Sequence, residues 1–150
     1  MSTATIAGVS ALPLGRLAGV GLIVFVANAA LLVLQLTASR LLAPFVGSSL
    51  ETWTSIIGVV LAGISIGAYL GGILADRYPT PRTLGWLLLF SGLAALSISP
   101  LTGVVARMQM ETSLMLRILA ITAIIFFVPA TLLGMISPVV VRLPLDKLER

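Results

Sequence analysis

The chain has 150 residues, of which 59% are hydrophobic and only 9% are charged, whereas soluble domains carry about 25% charged residues. Its formal net charge is +4, but the basic residues stand singly or in pairs at the ends of apolar stretches and form no stripe suited to nucleic acid. The sequence contains no Cys and no His, the side chains used most often for disulfides, zinc sites and acid–base catalysis. We therefore expect no enzyme activity, no metal and no cofactor.

Four long stretches of the chain contain no Asp, Glu, Lys or Arg. They are residues 17–39, 53–75, 83–106 and 118–141. Each exceeds the ~20 residues that a helix rising ~1.5 Å per residue needs to cross the ~30 Å hydrocarbon core of a bilayer. The sequence therefore predicts an all-α polytopic membrane protein, with transmembrane helices at about residues 17–40, 53–75, 82–106 and 114–141.

These four spans occupy most of the length, so we expect residues 1–150 to form a single transmembrane domain. The residues before Arg16 carry no basic residue, and the apolar stretch after it is too long for the core of a signal peptide. We interpret residues 1–15 as a short leader and residues 142–150 as a cytoplasmic tail.

The basic residues predict the orientation of the spans. If the N-terminus is cytoplasmic, six basic residues face the cytoplasm and three face the other side. The first set is Arg16, Arg77, Arg82, Arg142, Lys147 and Arg150, and the second is Arg40, Arg107 and Arg117. Because cytoplasmic loops carry the excess of Lys and Arg, both termini are predicted to be cytoplasmic.

Proline and threonine residues predict where helices begin, end and bend. Thr80 followed by Pro81 is typical of an N-cap and the first position of a helix. Pro44 is expected to close the first span just after Arg40. Pro100 in the third span, and Pro129 and Pro138 in the fourth, predict kinks or local breaks because proline cannot donate a backbone hydrogen bond.

Small residues recur every four positions in the second span, at Gly63, Gly67, Gly71 and Ala75. Such a stripe gives a transmembrane helix a flat face that another backbone can approach closely. Contacts within this domain and a dedicated dimer interface both remain open, and the first is favoured because the pattern is common. In either case we expect the second span to be the most enclosed helix.

The first span carries Asn28, Gln35 and Ser39, whose spacing places them on one helix face. A polar line at membrane depth is consistent with a ligand path or with hydrogen bonds between helices. None of the three is ionisable, so a proton or cation relay is not indicated, and we favour hydrogen bonding to a neighbouring helix.

The turn after the second span begins with Asp76, which opposes the dipole at a helix C-terminus and therefore needs a partner. Arg77 and Arg82 lie in the same turn and are candidates for pairing with it. A simple charged cytoplasmic turn would explain the two arginines but not the aspartate.

Two features of this sequence resemble known families. Residues Gly72, Asp76, Arg77 and Arg82 follow the G-x-x-x-D-R…R form of the loop between helices two and three of major facilitator superfamily transporters. The longer stretches 36–47, 53–72 and 129–138 resemble the membrane region of bacterial fused proteins that join facilitator-like helices to a spermidine-synthase-like domain. This resemblance covers roughly residues 20–142, and it implies facilitator-like helix packing in a bacterial cytoplasmic membrane.

The chain departs from that family pattern at two positions that we expect to be enclosed, where Gln35 replaces a Glu and Ala68 replaces an Asn. No residue matches the polyamine-synthase site, so that catalysis is not implied. One hypothesis is a non-catalytic membrane subunit or scaffold that packs against other membrane proteins or a second copy of itself. The alternative is a transporter-like half-module that moves a small solute, such as a polyamine. Because facilitators use two six-helix halves, four helices would do this only as an oligomer or together with further helices. The lost polar groups favour the first hypothesis.

Overall fold

A computed structural model describes residues 14–47, 49–78, 80–105 and 113–146. These residues form four α-helices and no strand: α1 (Leu14–Val46), α2 (Leu50–Arg77), α3 (Pro81–Val105) and α4 (Leu114–Asp146). All four helices are long and apolar enough to cross a membrane, so this part of the prediction is confirmed. The first 13 residues of the predicted leader, and Arg107, Lys147 and Arg150, lie outside the described residues.

Two helix ends differ from their predicted positions. Helix α1 continues past Arg40 and through Pro44 to Val46, so the prediction that proline would close it was wrong. Pro44 cannot donate to the Arg40 carbonyl, and the helix ends two residues after it, so the proline lies in the last turn rather than beyond it. Helix α4 continues to Asp146, so residues 142–146 are helical rather than part of a tail.

The helices that contain proline are continuous. Helix α4 runs without interruption through Pro129 and Pro138, and α3 runs through Pro100. Local breaks at these positions are therefore not present, whereas the predicted bends stay predictions.

The same arrangement of hydroxyl groups forms the corners at the starts of α2 and α3. The backbone N–H of Thr52 donates to Ser49 Oγ at 3.3 Å, and the Thr52 hydroxyl donates to the Gly47 carbonyl at 3.0 Å. The N–H of Thr83 likewise donates to Thr80 Oγ1 at 3.3 Å, while its hydroxyl donates to the Tyr78 carbonyl at 3.0 Å. Each pair satisfies an N-terminal donor of its helix and fixes the chain that enters it, and the predicted cap at Thr80 is confirmed.

Gly47 makes the first of these corners possible. It adopts φ +79°, the left-handed conformation that commonly ends a helix and that glycine adopts without steric cost. Its N–H donates to the Ala43 carbonyl at 2.9 Å, so α1 closes and the chain reverses within a few residues.

Helix α4 is the central element of the bundle. It packs against each of the other three helices and most extensively against α2, whereas α1 and α3 barely touch. In its apolar window 44% of residues are buried, compared with 33% in α2. The prediction that the second span would be the most enclosed was therefore wrong, because the small-residue face of α2 meets one neighbour while α4 meets three.

The buried side chains form two clusters along α4. The larger cluster joins α1, α2, α3 and the first half of α4, and its fully enclosed members include Leu42, Ile56, Ile118 and Phe126. The smaller cluster lies around the second half of α4 and includes Ala27, Ala75, Leu87 and Ile136. Between them these clusters hold α4 along its length and leave the outer faces of α1, α2 and α3 to the membrane.

Candidate functional site

The small-residue stripe of α2 lies directly against the backbone of α4. A Cβ atom built on Gly63 would lie 2.9 Å from Ala130 Cβ, and one on Gly71 would lie 2.7 Å from the Met135 carbonyl oxygen. At Gly67 the nearest atom is the Thr131 carbonyl oxygen, and it is closer still. These positions therefore admit only glycine unless the two helices move apart.

The contact is reciprocal, because α4 presents a glycine of its own. A Cβ on Gly134 would lie 2.9 Å from both the Cα and the carbonyl oxygen of Ile64. Ala75 ends the stripe and is 2% exposed, in the cluster that holds Val139 and Val140. Gly134 was not singled out from the sequence, because it does not belong to a long repeat of small residues. Ala130 is its one small neighbour at a distance of four positions.

Asp76 pairs with α4 rather than with its own turn. Its Oδ1 atom lies 3.0 Å from Nη2 of Arg142, so the interpretation that Arg77 or Arg82 would pair with it was wrong. The ion pair joins the C-terminal ends of α2 and α4 and thereby shows that these ends lie together. It also gives the aspartate a compensating charge where the helix dipole disfavours it. Gly72 lies one turn earlier, with open space beside its backbone.

Replacing Asp76 by asparagine should change stability only slightly. The two side chains are 66% and 53% exposed, and exposed ion pairs contribute about 0–1 kcal/mol. We expect the free energy of unfolding, measured by SDS titration in mixed micelles, to fall by at most about 1 kcal/mol. Exchanging the charges in the double variant Asp76→Arg, Arg142→Asp should recover the loss. A matched control is Glu51→Gln, which removes an exposed carboxylate with no ion pair among the described residues. Additive losses in the double variant would contradict the pairing.

The predicted polar face of α1 makes no hydrogen bond to another helix within the described residues. Asn28 is exposed, and its amide donates to the Val24 carbonyl of its own helix at 2.8 Å. The Ser39 hydroxyl donates to the Leu36 carbonyl at 2.9 Å, and Gln35, half-buried, bonds to none of the described residues. This face therefore forms no bond between helices among the described residues, and hydrogen bonding to a helix outside them stays a prediction.

An apolar groove opens between α1 and α3, with α4 as its floor. Its volume is about 810 Å³. Most of its lining side chains are aliphatic, and the set comprises Leu22, Ile23, Val26, Ala27, Ala30, Val33, Leu34, Thr37, Leu41, Leu88, Ser91, Gly92, Ala95, Ile98, Ser99, Phe126, Leu133 and Ile136. The groove exists because both walls pack on α4 and barely on each other. Sequence reasoning missed it, since its residues look like any other lipid-facing ones.

The chemistry of the groove is that of a hydrocarbon-like surface with three hydroxyls. Ser91 is buried and donates to the Leu87 carbonyl of its own helix at 2.7 Å, which satisfies it locally. Thr37 and Ser99 are exposed to the groove. None of the lining residues is charged, so the groove offers shape and apolar contact rather than acid–base chemistry.

At the other end of α4, Arg117 is largely enclosed. Its Nε atom is buried and bonds to none of the described residues, while residues 106–112, which include Glu111, are outside them. Within the described residues, no group of three or more carboxylates lies close enough together to hold a metal ion. Searches against protein-family models, curated proteins and solved structures each gave no match.

Proposed function

We propose that this chain is a non-catalytic integral membrane subunit or scaffold module, derived from a facilitator-like transporter, which acts by packing its helices against partner membrane proteins. The observation that carries the proposal is the open groove between α1 and α3. A bundle whose two outer helices both pack on α4, and not on each other, offers an incomplete wall that one more helix would close.

The dimensions of the groove favour a transmembrane helix as its occupant. Its lining on α1 runs from Leu22 to Leu41, and the nineteen steps between these residues rise about 28 Å along the helix, nearly the ~30 Å of the hydrocarbon core. Small residues such as Ala30, Gly92 and Ala95 line both walls. In lipid, where apolar side chains gain little by leaving acyl chains, close approach at small residues is what makes helices associate.

The resemblance to facilitator-like membrane proteins supports a bacterial cytoplasmic membrane with both termini in the cytoplasm. Arg77, Arg82 and Arg142 belong to the end of the bundle marked by the Asp76–Arg142 ion pair, as the positive-inside rule requires of a cytoplasmic end. In the facilitator transporters that it resembles, this loop braces one half of the protein against the other. Here the Asp76–Arg142 ion pair joins α2 to α4 within one four-helix unit.

Crosslinking from the groove tests the proposal. Because the chain has no cysteine, Ala95→Cys gives a single attachment point for a photo-crosslinker inside the groove. Leu93→Cys, 60% exposed and outside the groove on the same helix, is the matched control. In native membranes we expect one discrete, stoichiometric protein adduct from position 95 and none from position 93. Filling the groove with Ala95→Trp should abolish co-purification of that protein in mild detergent.

A chain that runs alone in mild detergent and yields no protein adduct from position 95 would overturn the scaffold proposal. Equal adducts from both positions would also contradict it, since they would reflect random collisions in the bilayer.

A transporter-like half-module is the second candidate, and the volume of the groove favours it. A cavity of about 810 Å³ is large enough for a small ligand. Because no carboxylate lines it, a polyamine would find no counter-charge, and an uncharged solute would fit better. Saturable uptake into liposomes that contain only this protein, lost in Ala95→Trp, would establish transport and overturn the scaffold proposal.

A further inference from the structure

Helix α1 presents three faces, and a step of one residue along the sequence leads from each face to the next. The groove face contains Val26, Ala30, Val33 and Thr37. The next residue in each case belongs to the core face, namely Ala27, Leu31, Leu34 and Ala38, all 7% exposed or less, of which Ala27 and Leu34 also border the groove. The residue after that belongs to a third face, and successive residues of a helix are separated by about 100°. The third face therefore flanks the core on the side away from the groove.

The third face has a regular spacing. Its residues alternate in steps of four and three along α1, and we call them the amide seam: Gly21, Phe25, Asn28, Leu32, Gln35 and Ser39. This is the 3.5-residue repeat with which two helices pack side by side along their length. Phe25 and Leu32 are 70% and 61% exposed, so the centre of the seam is not covered by the described part of the chain.

The two amides of the seam have unused hydrogen-bonding capacity at membrane depth. Each amide carries two N–H donors and a carbonyl acceptor. Asn28 uses one N–H on the Val24 carbonyl, which leaves its own carbonyl and its second N–H, and Gln35 uses none on the described residues. Hydrocarbon supplies no partner, and a polar group left unsatisfied there is destabilising. A partner that brings hydrogen-bonding groups to these depths would remove that cost.

We propose that a second copy of this chain docks along the amide seam, with Asn28 facing Asn28 and Gln35 facing Gln35 across a two-fold axis normal to the membrane. Copies inserted with the same topology place the same residue at the same depth. Two identical amide side chains can form a pair of hydrogen bonds, because the N–H of each donates to the carbonyl oxygen of the other. A two-fold interface makes both contacts at once, so each copy satisfies both of its amides.

Other occupants match these features less well. A lipid chain would cover Phe25 and Leu32 but would leave the amides unpaired. A different protein would need polar side chains at the depths of Asn28 and Gln35, with the same separation of seven residues. A second copy inserted with the same topology carries amides at both depths and with the same separation. The seam lies on the opposite flank of α1 from the groove, so this contact goes beyond the proposed function and leaves the groove open to a partner.

Disulfide crosslinking of the purified protein in liposomes tests the proposal. Leu32→Cys introduces the only cysteine of the chain into the seam between the two amides. Val33→Cys is the matched control, because it is equally exposed, at 61%, but lies on the groove face. Cα atoms must approach to about 7 Å or less for a disulfide to form. On mild oxidation at low protein-to-lipid ratio, we expect a covalent dimer from position 32 and little from position 33.

The amides are tested by substitution in the Leu32→Cys background. Asn28→Leu with Gln35→Leu should weaken dimer formation about tenfold, as the lipid dilution needed for dissociation will show, because interhelical bonds of this kind contribute about 1–2 kcal/mol. Asn28→Gln with Gln35→Asn keeps the amides and should retain most of the dimer. Circular dichroism of each variant should show unchanged helix content, since Asn28 is exposed, Gln35 is half-buried, and neither bonds to another helix among the described residues.

Equal crosslinking at positions 32 and 33, or an undiminished dimer after the double leucine substitution, would overturn the proposal. So would a heterologous adduct at position 32 in native membranes with no homodimer. This test and the crosslinking test of the groove can fail separately. Capture of a partner from position 95 without a dimer at position 32 would refute only the proposed dimer. A dimer without such capture would refute the scaffold proposal alone.

Discussion

Replacing Gly67 by alanine is expected to destabilise the bundle by about 3 kcal/mol, the upper end of what overpacking costs. The added Cβ would meet the carbonyl oxygen of Thr131, which belongs to the α4 backbone and has no rotamer through which to move away. The helices must therefore separate, and the neighbouring close approaches at Gly63 and Gly71 would loosen with them. In an ordinary helix the same substitution is favourable by about 1 kcal/mol, so the sign alone is diagnostic.

Gly58 supplies the matched control on the same helix. It is exposed, and nothing lies within 4 Å of the position where its Cβ would be. Gly58→Ala should therefore leave stability unchanged or raise it by up to about 1 kcal/mol. SDS titration in mixed micelles, followed by Trp fluorescence, measures both variants against the parent. Equal effects at the two positions would mean that α2 and α4 do not make backbone contact.

The four helices and the interface role of the α2 glycines follow from the sequence because they depend on local patterns. Charge-free stretches mark helices that can cross a bilayer, and a four-residue repeat of small residues marks a face for close contact. The cap at Thr80 is also local, since it depends on one hydroxyl and the N–H three residues later. Such features need no knowledge of which helices are neighbours.

The central position of α4 and the groove could not be predicted, because they depend on which apolar side chains face protein and which face lipid. In a soluble protein hydrophobicity separates these classes, but in a membrane both are apolar. The adjacent residues Leu31 and Leu32 show the difficulty, since the same side chain is 7% exposed at one position and 61% at the next. The partner of Asp76 was missed for a similar reason, because Arg142 lies on a helix distant in sequence.

The substitution Phe126→Ala tests the core at the point where α4 supports both the main cluster and the floor of the groove. Phe126 is 1% exposed, and its ring contacts the cluster that joins all four helices. Substitution of a buried Phe by Ala costs 3–5 kcal/mol in soluble proteins, a sum of a transfer term and a cavity term. In the bilayer the transfer term is small because lipid is as apolar as the core, so we expect about 3 kcal/mol, near the lower limit.

Phe90→Ala makes the same chemical change at a position that faces the membrane. Phe90 is 50% exposed and stacks on Trp86 with ring centroids 5.7 Å apart. Lipid fills the space left by its ring, so no cavity forms, and only the aromatic contact of about 1 kcal/mol is lost. The difference between the two variants in the same SDS titration isolates the cavity term. Equal losses would mean that Phe126 also faces lipid, and the floor of the groove, on which the proposed docking of a partner helix depends, would then not exist.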